Sequence, residues 1–155
     1  MVLALFSTIV GATVGAAMVF KRDKDKMKKE IELDRKNDAI LKLLSQWMSV
    51  KQEGKSLVQY FQDNKYGSIA VYGLHYLGEC LVNELKDSGV QVRYAIDRNV
   101  DKIHVDITLY RPEEELPEVD AIVVTPFYYF DEIDDMLSEK MDCPIVSIED
   151  VIYEV

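Results

Sequence analysis

The segment Gly73-Leu74-His75-Tyr76-Leu77-Gly78 follows a short apolar run, SIAVY at 68–72, and an acidic residue, Asp97, lies 19 positions beyond Gly78. Strand, glycine turn, helix, second strand and terminal carboxylate form the layout with which α/β proteins bind dinucleotides. In that chemistry the first glycine makes the tight turn and the second lets backbone approach a pyrophosphate. The third permits close helix-to-strand packing, and the carboxylate holds ribose hydroxyls. Here Gly73 and Gly78 take the two structural positions, and His75 stands where the middle glycine would be. Its Cβ and imidazole obstruct a pyrophosphate, while the N–H groups opening the next helix can still face an anion. The candidate ligand contacts are Gly73, Leu74, His75, Gly78 and Asp97, joined by Thr125 and Tyr128 from a second loop. The ligand they would take is NAD(P) or another nucleotide-type molecule.

A catalytic set is harder to assemble. The two histidines, His75 and His104, have no nucleophile beside them. The Tyr-x-x-x-Lys pair that moves a proton to a sugar carbonyl is missing, because Tyr128 has Glu132 four residues on and Tyr129 has Ile133. No catalytic residue is assigned, and whether the chain is an enzyme stays open. Cys80 and Cys143, without Cys/His clustering, offer neither a disulfide framework nor zinc spacing, so no metal site is expected. Phe127, Tyr128, Tyr129 and Phe130 open a helix beside the second loop. Two of these four should face the sheet as core, leaving the others, with Tyr72 or Tyr76, able to stack on a base or sugar ring. Asp131, Glu132, Asp134 and Asp135 follow as a solvated acidic face.

The elements that must position these residues alternate after Gly67. Strands are expected at 68–72, 91–96, 107–110, 120–125 and 144–148, and helices at 76–86, 128–140 and 149–153, with a helical turn at 113–116. Uninterrupted β-branched runs suit strands covered on both faces, and right-handed crossovers between them give a small α/β, Rossmann-like parallel sheet in the order 3-2-1-4-5. In that order the chain reverses direction between the first strand and 120–125, and ligands bind such sheets in the crevice at that reversal. The loops 73–78 and 125–130 converge there.

Upstream, none of the 18 basic and 28 acidic side chains falls in 1–20. A helix of that length spans a hydrocarbon core of about 30 Å, so 1–20 is expected to be a transmembrane helix. Residues 21–29 carry six cations against two acids. Positive flanks stay inside, which predicts a single-pass protein with its N-terminus out, a cytoplasmic C-terminal domain and the lipid bilayer as a partner. Ser7, Gly11 and Gly15 form a small-residue stripe suited to a homodimer; the 33–50 helix, with Leu33, Ile40 and Trp47 seven apart, offers either a second dimer face or, through Ile40, Leu43, Leu44 and Trp47, a face that docks on the following domain or a partner. No Pro or Gly interrupts 21–50; Gly54 then ends this helix, and Ser56 caps a short second one over 57–66. The expected organisation is transmembrane helix 1–20, juxtamembrane stalk and neck 21–66, and Rossmann-like domain 67–155. The net charge of -10 divides unevenly, with +3 in 21–36, 0 in 37–63 and -13 in 64–155. An acidic domain argues against nucleic acid as a partner.

Residues 51–155, through the glycine turn, the strand-ending Asp97 and the closing PIVSIEDV, resemble the small Rossmann-type nucleotide-binding modules attached to bacterial surface-polysaccharide proteins. The resemblance implies Gly73, Gly78 and Asp97 as ligand contacts and an envelope-polysaccharide enzyme as partner. It leads to a membrane-anchored accessory protein with a nucleotide-binding-like domain. The alternatives are a non-catalytic interaction module with an empty crevice, or an NAD(P)-dependent sugar-nucleotide oxidoreductase or epimerase.

Overall fold

The computed structural model describes the backbone of residues 2–102 and 105–155 and the side chains of 20–101 and 105–155. His104 therefore lies outside the described residues, and so do the side chains of Ser7, Gly11 and Gly15 on which the first dimer stripe was expected. The chain divides between Lys42 and Leu43 into two compact units.

From Val2 the first unit is helical and belongs to α1 (Val2–Gln52). Its charged part is laced by i,i+4 pairs, Lys26 with Glu30 at 3.9 Å and Lys36 with Glu32 at 2.7 Å, the kind of exposed contact that steadies a helix by a few tenths of a kcal/mol. Among the described residues no helix is long and apolar enough to cross a membrane. This overturns the transmembrane helix and the single-pass membrane placement with its cytoplasmic domain. The physical reason is continuity: α1 has no break after its apolar start, and from Phe20 to Arg35 its described side chains are exposed and, from Lys21, densely charged.

The second unit is an α/β sandwich. Its sheet consists of β1 (Ser68–Tyr72), β2 (Gln91–Ile96), β3 (Thr108–Tyr110), β4 (Ala121–Val124) and β5 (Ile145–Ser147), all parallel in the expected order 3-2-1-4-5. Side chains alternate across a strand, so each strand feeds two layers. Ile69, Val71, Ala95, Ala121 and Val123 enter one layer, and Ala70, Tyr72, Tyr94, Ile96, Ile122 and Val124 the other. The first layer is covered by α3 (Tyr76–Leu85) through Leu77, Leu81 and Leu85, and by α5 (Ile148–Tyr153). The last turns of α1 and the short α2 (Val58–Asp63) join them through Leu43, Trp47, Val50, Tyr60 and Phe61. The segment expected as a neck is thus part of the main core. The second layer is covered by α4 (Phe130–Ser138) through Ile133 and Leu137.

Three boundaries differ for local reasons. Helix α2 stops at Asp63 because Tyr60 O accepts both the N–H and the side-chain amide of Asn64, and Lys65 turns into positive φ at 62°. At its start, the Ser56 hydroxyl accepts the Val58 N–H but also donates to Glu84. Residues 113–116 make no helix: the Glu114 N–H donates to Arg111 O, the Arg111 N–H donates back to the Glu114 carboxylate, and Pro117 disfavours helical geometry before it. The helix expected from Tyr128 begins with a 3-10 turn at Phe127–Tyr129, so α4 proper starts at Phe130.

Candidate functional site at the carboxyl edge of the sheet

Where β1 ends, the chain turns at Gly73 with φ +84°, a conformation open to glycine and strained for other residues. Neighbouring strands hold this turn. The Gly73 N–H donates to Ile96 O at 2.8 Å, the Leu74 N–H donates to Asp97 Oδ2 at 3.0 Å, and the other oxygen of Asp97 takes the Asn99 N–H at 2.8 Å. From the end of β4, the Thr125 N–H donates to Tyr72 O at 3.0 Å and its hydroxyl to Gly73 O at 2.6 Å. Gly73, Leu74, Asp97 and Thr125 therefore meet in one hydrogen-bonded knot. Gly78 lies beneath it: a Cβ there would sit 2.3 Å from Gly73 O. His75 and Tyr76 are exposed at the start of α3, with ring centroids 4.2 Å apart and edge to face.

The aromatic run divides as its spacing suggests. Phe127 packs against the first layer and Phe130 against the second, while Tyr128 and Tyr129 stay exposed. With Asp131 and Glu132 these four line an open cavity of about 250 Å³. Tyr72 is buried and cannot stack on a ligand. Its burial pushes its pKa up, against the opposing charge of Arg98.

A dinucleotide fits these residues poorly. A Cβ on Gly73 would lie 2.7 Å from Pro126 Cδ and 3.0 Å from Thr125 Oγ1, so the 125–126 segment packs directly on the turn on that side. The Leu74 N–H is committed to Asp97, and His75 adds bulk at the mouth. Pro126 belongs to the 125–130 loop expected at this crevice but was not singled out, because its packing on Gly73 depends on backbone geometry that residue types do not display. Arg111 was missed for the same reason: from the end of β3 it pairs with Asp101 at 2.8 Å and donates to Arg98 O at 3.2 Å, tying down the loop after β2.

The knot makes its own prediction. Asp97→Asn keeps one acceptor oxygen for two backbone donors, and is expected to cost about 1–2 kcal/mol in urea unfolding. An unchanged unfolding midpoint would show that the carboxylate does not organise the turn. Comparison of the chain with protein-family models, with curated proteins and with solved structures finds no match in any of the three, so the likeness to surface-polysaccharide modules has no family or relative behind it, and what stands is a small, Rossmann-like parallel α/β sheet.

Proposed function

We propose that the unit Leu43–Val155 is a non-catalytic interaction module whose recognition face is the carboxyl edge of its sheet. The observation that carries this reading is that Thr125, Pro126 and Asp97 close the glycine turn from within, while the side chains left outside at that edge are His75, Tyr76, Tyr128 and Tyr129. Tyrosine suits contact surfaces, since it offers a large ring and a polar tip at low entropic cost. An envelope-polysaccharide enzyme, which the sequence resemblance implies, is the first partner class to test.

A second reading, a nucleotide-type ligand in the crevice, is favoured by the position of Asp97 at the end of β2, beside the turn. Thermal denaturation of the full chain with NAD(P), UDP-sugars, nucleoside phosphates, coenzyme A and S-adenosylmethionine separates the two. No shift above about 1 °C is expected with any of them at millimolar concentration. A saturable rise of several degrees with one would replace the interaction module with the ligand reading, because a molecule binding only the folded state must raise its stability. On the positive side, a photo-crosslinker at position 129 should capture one defined partner, and one placed at Lys86, on the far end of α3, should not.

A further inference from the structure

We infer that α1 pairs with α1 of a second copy of this chain, parallel and in register, through a seam on the first unit that carries Phe20, Met27, Ile31 and Leu41. This pairing is independent of the carboxyl edge of the sheet and of what binds there.

The face with Leu33, Ile40 and Trp47 seven apart is not the free one, because Trp47 is buried in the core. Among the described residues of the first unit, the exposed large apolar side chains are Phe20, Met27, Ile31, Leu33 and Leu41, each between 48% and 77% exposed. Phe20, Met27 and Leu41 recur at multiples of seven and Ile31 falls four after Met27, so these four share the a and d positions of one heptad frame; Leu33 alone lies off it. Exposed apolar residues scattered singly need no explanation, but four aligned on one seam over about six turns present a face to another helix.

The flanks of the seam are unlike, and they select the occupant. On one side stand Asp23 and Glu30, on the other Lys21, Lys28, Arg35 and Lys42. When two such helices run parallel in register, a residue on one flank faces the residue five positions later on the opposite flank of the other copy. Asp23 then meets Lys28 and Glu30 meets Arg35, each pair occurring twice by symmetry. Within its own helix Glu30 has a loose 3.9 Å contact with Lys26 to exchange. An antiparallel pair would set the basic flank against itself, and a foreign helix would need these same flanks in the same frame, a pattern this chain already supplies. Lys24, Asp34 and Asp38 also fall on the seam, where each meets its own counterpart. Like charges facing each other there cost stability, which makes the pair a reversible one.

The test is sedimentation equilibrium of the full chain over a hundredfold range of concentration, which should show a monomer–dimer equilibrium. Glu30→Arg and Arg35→Glu should each weaken the dimer at least fivefold. An equimolar mixture of these two variants should restore it to within twofold of wild type, because each altered flank then meets its opposite. Glu32→Arg and Lys29→Glu make the same charge changes off the seam, and alone or mixed they should stay within twofold of wild type. Asp34→Asn with Asp38→Asn removes like charges from the seam and should tighten the dimer at least threefold. All six positions are exposed, so these variants should keep the wild-type circular dichroism. A chain that is monomeric at every concentration would overturn the inference. A dimer that neither flank variant weakens would overturn it too, moving the association to 1–20 or to the carboxyl edge. A mixture no tighter than either variant alone would refute the parallel register, equal losses from the off-seam variants would leave only net charge, and a double Asn variant that fails to tighten would take Asp34 and Asp38 off the interface; each of these overturns the pairing described here.

Discussion

Gly78→Ala is expected to destabilise the Leu43–Val155 unit by roughly 4 kcal/mol or more, a large share of the 5–15 kcal/mol that holds a domain folded. The added methyl would lie 2.3 Å from Gly73 O and 3.3 Å from Gly73 C, distances that no side-chain rotation relieves because both atoms are backbone. Gly73 cannot retreat. Its N–H is bonded to Ile96 O, its carbonyl accepts the Thr125 hydroxyl, and Pro126 closes the side opposite. The start of α3 must therefore move away from β1, taking Leu77 and Leu81 partly out of the first layer. Overpacking alone costs about 1–3 kcal/mol, and the broken backbone bonds add to it. Gly89→Ala is the contrasting case: unlike Gly78, which lies within α3, Gly89 has positive φ, at 88°, but nothing lies within 4 Å of the added carbon, so only backbone strain of about 1–2 kcal/mol applies. Equilibrium unfolding in urea measures both. If Gly78→Ala costs no more than Gly89→Ala, close packing of helix on turn is not what requires glycine here.

That contrast also shows why half of the glycine fingerprint can persist without its ligand. Gly73 and Gly78 are each explained by atoms of the same chain, Pro126 and Thr125 for the first and the Gly73 carbonyl for the second. The motif is a packing device before it is a binding device, and substitution by His at the middle position leaves the device intact.

The sheet was legible because its causes are local. Runs such as 69–72, 94–96 and 121–124 are apolar on consecutive positions, and only a strand covered on both faces needs that pattern. Their order followed from the handedness of crossovers together with the position of the glycine turn. The short connections were less legible. At 113–116 good helix formers lost to a turn that Arg111 and Glu114 close between themselves. The fate of the aromatic run was readable as a ratio, two in and two out, but the cavity was not. Its Asp131 and Glu132 look like any solvated pair until the 3-10 turn at Phe127–Tyr129 sets them beside the rings. The amphipathic end of α1 was visible as a stripe, whereas the polar contact that pins it, Glu84 of α3, was not.

Glu84→Gln is expected to cost about 3–4 kcal/mol, with Trp47 fluorescence reporting the change directly because Trp47 is the single tryptophan of the chain. The side chain of Glu84 is 8% exposed and gathers four donors: the Trp47 indole N–H at 2.7 Å, the Leu57 N–H at 2.8 Å, the Ser56 hydroxyl at 2.9 Å and Lys51 Nζ at 3.0 Å. These come from the last turns of α1 and the entry to α2, so one carboxylate pins both to α3. An amide can keep its oxygen where Oε1 takes Leu57, Ser56 and Lys51, but its N–H pair then faces the Trp47 indole N–H, itself a donor, which is left unpaired. Burial by itself would raise the pKa of Glu84, but the hydrogen bonds from Leu57, Lys51, Trp47 and Ser56 together outweigh it and hold the carboxyl below its ordinary 4.5. A carboxyl with a depressed folded-state pKa contributes its stability above the unfolded value and loses it as the pH falls through the folded one. Wild type should therefore lose stability on acidification below about pH 4.5, and Glu84→Gln, already without the charge, should show a flatter acid limb. Parallel acid limbs for the two proteins would mean that the charge of Glu84 contributes nothing to the docking of α1 and α2, and that apolar contacts through Leu43, Val50, Leu57 and Phe61 hold them alone.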